Sequence, residues 1–293
     1  MPVRKYLPCV LAAVCLSAAP AFAADMDATP WLSPAPESAP PAFGDPFESF
    51  AMRADATRID WRGFYVGGQF SYSDGSANFS QSTKAPIAFS LRETVLENEF
   101  APSNWQVLGT ANHSAAGFGG FVGYNTVYLA PTAKIVFGIE ANYDQASLSL
   151  VAPSAAISRN LPADSLGNIN DVTIKASGQV SNLDFGTLRA RAGWAVGNFL
   201  PYAFAGFALG RADVNIAETT IVEQNPPSVP FVFGGTAGKD GEWLYGFTVG
   251  GGLDYALTHH IFVRGEYEYV QFQPVAGTNI DVNTVRLGAG IKF

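Results

Sequence analysis

The feature that most constrains this chain is an alternation of apolar with small or polar residues at every second position. It is clearest near the C-terminal end, where one face of a strand would carry Val285, Leu287, Ala289, Ile291 and Phe293. Similar alternation recurs over residues 135–144, 188–194, 247–255 and 263–270. Successive side chains of a β-strand point to opposite faces, so the pattern predicts strands with one apolar and one polar side.

Three glycine-rich segments with weaker alternation, 64–72, 116–128 and 200–213, raise the number of expected strands to eight. Short connections are expected near 127–132, 197–200 and 258–260, longer ones near 74–113, 151–178 and 217–241, and one of modest length near 274–280. Bacterial outer-membrane barrels have short periplasmic turns and long extracellular loops. The sequence therefore predicts an all-β fold, an eight-stranded antiparallel transmembrane β-barrel with long extracellular loops and short periplasmic turns.

Composition favours a barrel in a membrane over one in water. Charged residues make up 14% of the chain, whereas soluble proteins have about a quarter. After the N-terminal region there is no apolar run long enough for a helical span, so only a closed barrel could cross a bilayer with its backbone amides paired. A soluble, ligand-carrying barrel of lipocalin type stays open as an alternative, although it need not alternate short turns with long loops.

The N-terminal residues have the layout of a secretory signal. Arg4 and Lys5 precede an apolar core over residues 7–19, and an A-x-A site places cleavage between Ala23 and Ala24. Both cysteines precede that site, so the exported chain would have no disulfide. Export by this signal, together with the expected transmembrane barrel, predicts localisation in the outer membrane of a Gram-negative cell.

Three regions are therefore expected along the chain. Residues 1–23 form the signal peptide and residues 61–293 form the barrel. The intervening residues 24–60 are rich in Pro, Ala, Ser and acidic residues, a composition that does not build a packed core. We interpret 24–60 as a disordered periplasmic tether, with a docking peptide anchored by its aromatic residues as the alternative.

The charge balance limits the partners. Removing the signal takes away two cations, which changes the net charge from −8 to −10. An acidic chain without basic runs argues against nucleic acid and against anionic lipid headgroups as specific partners. The partners that we expect are outer-membrane lipid, the outer-membrane assembly machinery and an extracellular ligand bound by the loops. The oligomeric state is left open.

Charged residues on the polar face of the expected strands are the candidate site. Four carboxylates and four guanidinium groups belong to it: Glu140, Asp144, Glu266, Glu268, Arg189, Arg191, Arg264 and Arg286. Side chains nearly fill the interior of an eight-stranded barrel, and an unpaired charge there costs several kcal/mol. We therefore predict a network of salt bridges in the lumen. A small selective pore and catalysis by paired carboxylates are the alternatives.

Aromatic residues mark both the end of the chain and the ends of the strands. Phe293 closes an alternating apolar strand and resembles the signal by which the assembly machinery recognises barrel proteins. Amphipathic rings suit the level of the lipid headgroups, so aromatic residues beside the turns are expected to form girdles. The expected girdle residues are Trp61, Phe64, Tyr65, Tyr128, Trp194, Phe199, Tyr202, Trp243 and Tyr245.

No motif indicates an enzyme, a cofactor or a metal. Dinucleotide and Walker loops, the nucleophile elbow and the H-E-x-x-H zinc motif are missing from the sequence. His259 and His260 could form half of a metal site, but a tight turn with no cysteine and one further histidine, His113, favours ordinary turn residues. We therefore expect no catalytic residue, no metal and no cofactor, with a membrane-embedded lipid-modifying enzyme as the alternative.

Several segments resemble the small eight-stranded outer-membrane proteins of alphaproteobacteria, the porin-like and OmpA-like surface antigens. The first is WRGFYVGG at 61–68, and the last is TVRLGAGIKF at 284–293. The others are 187–194, 198–202, 248–255 and 266–269. The tether and the long loops match nothing in that family.

The resemblance implies an abundant, surface-exposed structural barrel that supports the integrity of the cell envelope. Some members bind haem or host components through external loops, but the loops of this chain lack a clear ligand set. The main hypothesis is a structural and interaction barrel without enzymatic activity. A narrow porin-like diffusion channel for small solutes is the alternative.

Overall fold

The computed structural model describes residues 59–129, 134–225 and 229–293. The expected signal peptide over residues 1–23, its cleavage site between Ala23 and Ala24, and the proline-rich residues up to 58 lie outside the described residues. All statements below concern the described part of the chain.

Eight antiparallel strands form a closed barrel in the order of the chain. The strands are β1 (Gly63–Asn78), β2 (Thr110–Leu129), β3 (Lys134–Leu161), β4 (Ile169–Ala195), β5 (Phe199–Asn225), β6 (Phe231–Ala256), β7 (Ile261–Phe272) and β8 (Asn279–Lys292). Pairing of β1 with β8, from Tyr65 opposite Lys292 to Asn78 opposite Asn279, completes the ring. The predicted eight-stranded antiparallel barrel is confirmed.

The connections differ sharply between the two ends of the barrel. Short turns join β2 to β3, β4 to β5 and β6 to β7 at one end, and the β4–β5 turn uses Gly197 at a φ of 58°. Short turns are periplasmic in outer-membrane barrels, so in such a barrel this end would face the periplasm and the opposite end would face outward from the cell. No helix among the described residues is long and apolar enough to span a bilayer.

Near the short turns, the outer wall of the barrel is apolar. Phe207 on β5 and Phe70 on β1 are each 77% exposed, and the outward positions of β5 stay apolar or small over residues 199–209. That run matches the roughly 9–11 residues that a tilted transmembrane strand needs. Six expected girdle residues lie exposed on this wall: Phe64, Tyr128, Trp194, Phe199, Trp243 and Tyr245.

The strands continue beyond this belt, where two of the expected loop ranges are wrong. Residues 151–178 and 217–241 belong mostly to β3, β4, β5 and β6, which extend outward as long hairpins. Alternation continues there with reversed polarity, since Val172 and Ile174 point inward while Lys175 points to water. The strands were predicted from apolar residues that would face lipid. Strands with polar outer faces lack that pattern, so residues 151–178 and 217–241 were expected to be loops.

We call this outer part the distal half, defined as residues 73–115, 145–184, 210–242 and 271–283. The other described residues form the membrane half. The first long connection, between β1 and β2, is neither a strand nor an open loop. It contains two short helices, α1 (Lys84–Ser90) and α2 (Val95–Phe100), followed by a 3₁₀ turn (Pro102–Asn104).

This connection, residues 79–109, folds into the distal half, and we call it the plug. Phe79, Ile87 and Leu91 of the plug are fully buried in one apolar core with residues such as Leu148. A Cβ at position 178 would lie 2.8 Å from the Phe79 ring, so glycine at this position lets the plug pack against β4. The distal half thus has the interior of a water-soluble protein.

Candidate functional site

All eight charged residues of the expected site lie inside the membrane half. Glu140 and Asp144 come from β3, Arg189 and Arg191 from β4. The remaining four come from β7 and β8: Arg264, Glu266, Glu268 and Arg286. Each of the eight is at most 4% exposed. The alternation of each strand turns every second side chain inward, so residues far apart in sequence meet in the lumen.

One centre of this group is the carboxylate of Glu140. Its Oε2 lies 2.9 Å from Nη1 of Arg264 and 3.2 Å from Nη1 of Arg191. Its Oε1 contacts the guanidinium group of Arg189, whose Nε lies 3.1 Å away. The Tyr65 hydroxyl donates a hydrogen bond of 2.7 Å to Oε2. Three cations and a hydroxyl therefore compensate the burial of this carboxylate, which would otherwise be costly.

The second centre is the guanidinium group of Arg286 on β8. Its Nε lies 2.7 Å from Oδ2 of Asp144, and its Nη1 lies 3.1 Å from Oε1 of Glu266. Its Nη2 contacts Oε2 of Glu268. Arg189 links the two centres, because its Nη1 lies 2.7 Å from Oε1 of Glu266. The pairs therefore form one continuous network rather than separate bridges.

Sequence reasoning missed one member of the network, Asp254 on β6. Its Oδ2 lies 2.6 Å from Nη2 of Arg191, and its Oδ1 lies 2.8 Å from Nε of Arg264. The signal was present, because Asp254 alternates with the apolar Leu253 and Tyr255 as the other members do with their neighbours. We call these nine charged residues the lumen cluster. It contains five carboxylates and four guanidinium groups.

Three expected girdle residues are instead inside the barrel. Trp61, Tyr65 and Tyr202 are buried, so their assignment to the lipid interface is wrong. The hydroxyl of Tyr202 donates a 2.8 Å hydrogen bond to Oε2 of Glu266, as Tyr65 does to Glu140. The alternation could have shown this for Tyr65, because its neighbour on the strand faces lipid. Both tyrosines bring hydroxyl donors to buried carboxylates.

Aromatic rings cover the flat faces of the guanidinium groups. The Arg264 guanidinium carbon lies 4.1 Å from the centre of the Phe121 ring, and that of Arg191 lies 3.8 Å from the Tyr202 ring. Arg189 stacks in the same way over Phe204, at 4.1 Å. Stacking and planar hydrogen bonding together are typical of arginine rather than lysine. The lumen cluster is thus packed as well as paired.

Apolar residues close the barrel below the lumen cluster, at the end with the short turns. Ile59 is 7% exposed and Trp61 is 3% exposed, and the Trp61 ring packs edge-on against Phe262 at 6.4 Å. The buried members of this turn-end cap are Ile59, Trp61, Tyr65, Phe121, Val136, Leu200, Ala256 and Phe262. The packed interior therefore includes Ile59, which belongs to the segment expected to be a tether.

Phe293 lies at the edge of the ring with its side chain outside. Its backbone N–H donates a 2.8 Å hydrogen bond to the carbonyl oxygen of Phe64, and its ring is 75% exposed. The backbone of Phe293 thus extends the pairing of β8 with β1 by one residue. The role of Phe293 as an assembly signal stays a prediction.

The histidines lie at opposite ends of the molecule. His259 and His260 belong to the β6–β7 turn, where the His260 carbonyl accepts a 2.7 Å hydrogen bond from the backbone of Lys292. His113 belongs to β2 in the distal half. In the described stretches, no three His, Cys, Asp or Glu side chains are arranged to hold a metal ion.

Residues 49–293 match the model of a family described as the outer membrane protein beta-barrel domain. The chain is also 26% identical over 245 residues to a 22 kDa outer membrane protein of Rhizobium leguminosarum bv. viciae. That match covers 80% of this chain and 78% of the Rhizobium protein.

A shorter match links the chain to a 25 kDa outer-membrane immunogenic protein of Brucella canis. The two are 32% identical over 118 residues, which cover 37% of this chain and 46% of the Brucella protein. Among solved structures, the Neisserial surface protein A is similar at a TM-score of 0.36 and 14% identity, covering 79% of this chain and 97% of that protein.

Proposed function

Since the chain belongs to the outer membrane protein beta-barrel domain family, we propose that it is a closed scaffold that holds a folded β-domain outside the cell for contact with extracellular partners. In this role the chain performs no catalysis. Bilayer lipid surrounds the apolar wall of the membrane half, and the assembly machinery recognises the last strand with Phe293.

The observation that carries the proposal is the change of polarity along single strands. On β5, the outward residues Phe207 and Leu209 are apolar, whereas Arg211 and Asn215 further along the same face are polar. A wall that is apolar over one bilayer thickness and polar beyond it fits a strand that leaves the membrane and continues in water. Structure maintained outside the membrane is a surface on which partners can dock.

The interior supports a scaffold over the diffusion channel that is the alternative. The lumen cluster fills the membrane half with paired charges, the turn-end cap closes the periplasmic end, and the plug fills the distal half. Conduction requires a continuous path for water and ions, and each of these three layers would have to move to open one. The lumen cluster, which includes Glu266 and Arg189, is the middle of the three layers, between the turn-end cap and the plug.

Conductance tests the closed interior. Purified, refolded protein in planar bilayers is expected to give no steady channels, and proteoliposomes are expected to retain small sugars. Steady channels that disappear or change selectivity in Glu266→Gln would replace the scaffold with the diffusion channel. Incubation with lipid vesicles is expected to leave the lipids chemically unchanged, whereas lipid turnover would indicate an enzyme.

Cysteine labelling tests the orientation, because the two native cysteines both lie in the expected signal. Gln179→Cys places a thiol on the outer face of the distal half, and Thr258→Cys places one in a short turn. A membrane-impermeant maleimide added to intact cells is expected to label the first variant and to spare the second. Labelling of Thr258→Cys alone would overturn the assignment of the distal half to the outside.

A further inference from the structure

We propose that the distal part of β6, residues 231–239, is an open strand edge that pairs with an extended, basic polypeptide segment of another protein. The inference rests on the proposed function, because it names the partner of the folded β-domain outside the membrane. We call residues 231–239 the docking edge.

The docking edge exists because β3–β6 extend further outward than their neighbours. Pairing of β6 with β7 stops at Gly246 opposite Phe272, and pairing of β3 with β2 stops at Gln145 opposite Phe118. Beyond these points, the described residues of β6 pair only with β5. The four-stranded distal sheet therefore has two edges with backbone groups that no neighbouring described strand takes up.

The two edges differ in their protection. The distal edge of β3 carries Pro153 and Arg159, and its pairing with β4 is interrupted by three register shifts. Proline, charge and bulges are the usual means by which proteins prevent an edge from pairing with another chain. The docking edge is less protected: residues 231–238 contain no proline or charge, and its one charged residue, Lys239 at the membrane-side end, pairs with Glu242. Its pairing with β5 is regular from Val222 opposite Phe231 to Val214 opposite Lys239.

The side chains leave the docking edge accessible from outside. Val232, on the outer face, is 66% exposed, and Phe231, on the other face and paired with the buried Val222, is still 52% exposed at the outer end of the strand. The inner face is covered, since a Cβ at Gly235 would lie 3.5 Å from Pro86 of α1. A partner strand can therefore approach along the edge, with Val232 as an apolar anchor on the outer face.

The charge of the surroundings selects the partner. The distal half contains thirteen Asp and Glu against six Lys and Arg. An edge that is uncharged over residues 231–238, within an acidic surface, favours an extended segment that combines apolar side chains with Lys or Arg. Backbone hydrogen bonds would supply affinity, and alternate side chains would supply specificity, as in other cases of strand addition.

The test uses the whole protein in nanodiscs and a synthetic peptide of alternating Val and Lys as the probe. Binding is followed by fluorescence anisotropy, and hydrogen exchange locates the peptide. We expect the peptide to protect backbone amides within residues 231–239. The same peptide interrupted by a central proline, and an alternating Val–Glu peptide, are expected to bind about tenfold more weakly or not at all.

Two matched variants distinguish pairing at the strand edge from general attraction between charges. Thr236→Lys places a cation on the docking edge, and Thr219→Lys places the same cation on the outward face of β5, one strand away. Thr236→Lys is expected to weaken binding about tenfold, and Thr219→Lys no more than about twofold. A heat-induced shift on gels checks that both variants fold. Val232→Lys provides a second edge variant.

Each other outcome overturns the proposal in an identifiable way. Equal weakening by both lysine variants would indicate charge attraction without strand addition. Protection of residues 231–239 in the unliganded protein, together with a dimer in solution, would assign the edge to a second copy of this chain. Either result leaves the closed, outward-facing scaffold intact, because conductance and cysteine labelling test that independently.

Discussion

The membrane half and the distal half are built from the same strands but are opposite in polarity. In the membrane half of β4, Leu188 and Trp194 face outward and Arg189 faces the interior. In the distal half of the same strand, Ile174 faces the interior and Lys175 faces outward. A period of two predicts a strand. Whether the outward residues are apolar or polar indicates whether lipid or water lies outside the wall.

Because of this difference in polarity, different interactions stabilise the two halves. Apolar residues of the membrane half are exposed to hydrocarbon, so burying them in the interior would bring no gain, and paired charges fill the lumen instead. In the distal half the outer solvent is water, and the apolar core with Phe79 and Leu148 gains from the hydrophobic effect. We therefore expect the two halves to respond differently to the same kind of substitution.

The largest effect is expected from removing a cation of the lumen cluster. Arg286→Ala leaves the carboxylates of Asp144 and Glu268 without their main partner in a buried site. Breaking a buried ion pair on one side costs about 3–5 kcal/mol, and we expect a loss of this size in the free energy of unfolding. Urea titration in lipid vesicles, with gel mobility as the readout, measures it.

An exposed ion pair of the distal half provides the control. Lys239 and Glu242 are 2.8 Å apart and partly exposed, so Lys239→Ala is expected to change the free energy of unfolding by less than about 1 kcal/mol. Similar losses for Arg286→Ala and Lys239→Ala would show that the lumen cluster does not hold the membrane half together.

A smaller loss is expected from placing a cation on the apolar wall. Leu287 on β8 is 67% exposed and lies on the lipid-facing side. Leu287→Arg is expected to cost about 2–4 kcal/mol, because the guanidinium group would enter hydrocarbon. The matched change on the distal outer face, Gln179→Arg, is expected to be nearly neutral in the same vesicle titration. Equal costs at both positions would contradict the assignment of water to the distal wall.

A conservative change in the apolar core should act locally. Ile174 is fully buried in the distal core, so Ile174→Val leaves a small cavity and is expected to cost about 0.5–1.5 kcal/mol. Faster hydrogen exchange in the distal parts of β4 and β5 would show it. Ile139→Val on the lipid-facing wall is the control, because lipid chains can fill the space. Faster exchange in the membrane half of the Ile174→Val protein would argue against two separable halves.

The smallest effect concerns pH at the β3–β4 turn. The backbone N–H of Asn168 donates a 2.8 Å hydrogen bond to Asp164, and together with Asn170 and Leu166 it lowers the pKa of that carboxyl. A lowered pKa stabilises the turn above the pKa of the unfolded chain, and this contribution disappears as the pH falls through the lowered pKa. The protection factors of the amides at the turn, which correct for the intrinsic pH dependence of exchange, should therefore fall on acidification. In Asp164→Asn, this pH dependence should be lost; if it persists, another group is responsible.

The number of strands, the closure of the ring and the inward face of most strands follow from the sequence. The strand count and the inward faces rest mainly on alternation, which is a local property that a single chain displays directly. Closure follows instead from the requirement that backbone amides be paired within a bilayer. Glu140 and Arg189, for example, could be placed in the lumen because apolar residues flank both of them. Their direct contact required only that neighbouring strands pair.

The remaining features depend on information that alternation does not carry. The true extents of β3–β6 were missed because their distal faces reverse polarity, so Val172 and Ile174 were interpreted as part of a loop. The plug was missed because Phe79 and Leu91 lie in a segment without strand or helix periodicity, and their burial depends on the surrounding strands. Tyr65 and Trp61 were misplaced because aromatic residues suit both a lipid interface and a packed interior.

The seam between β1 and β8 has a consequence for the order of events in biogenesis. Its hydrogen bonds join residues as distant in sequence as Tyr65 and Lys292. The contacts that close the barrel are therefore those with the greatest sequence separation, which form slowly. A partly assembled cylinder would expose two rows of unpaired amides, which a bilayer interior does not tolerate. Pairing of β1 with β8 therefore has to form as the barrel inserts, or another protein has to cover the two unpaired edges until β8 is in place.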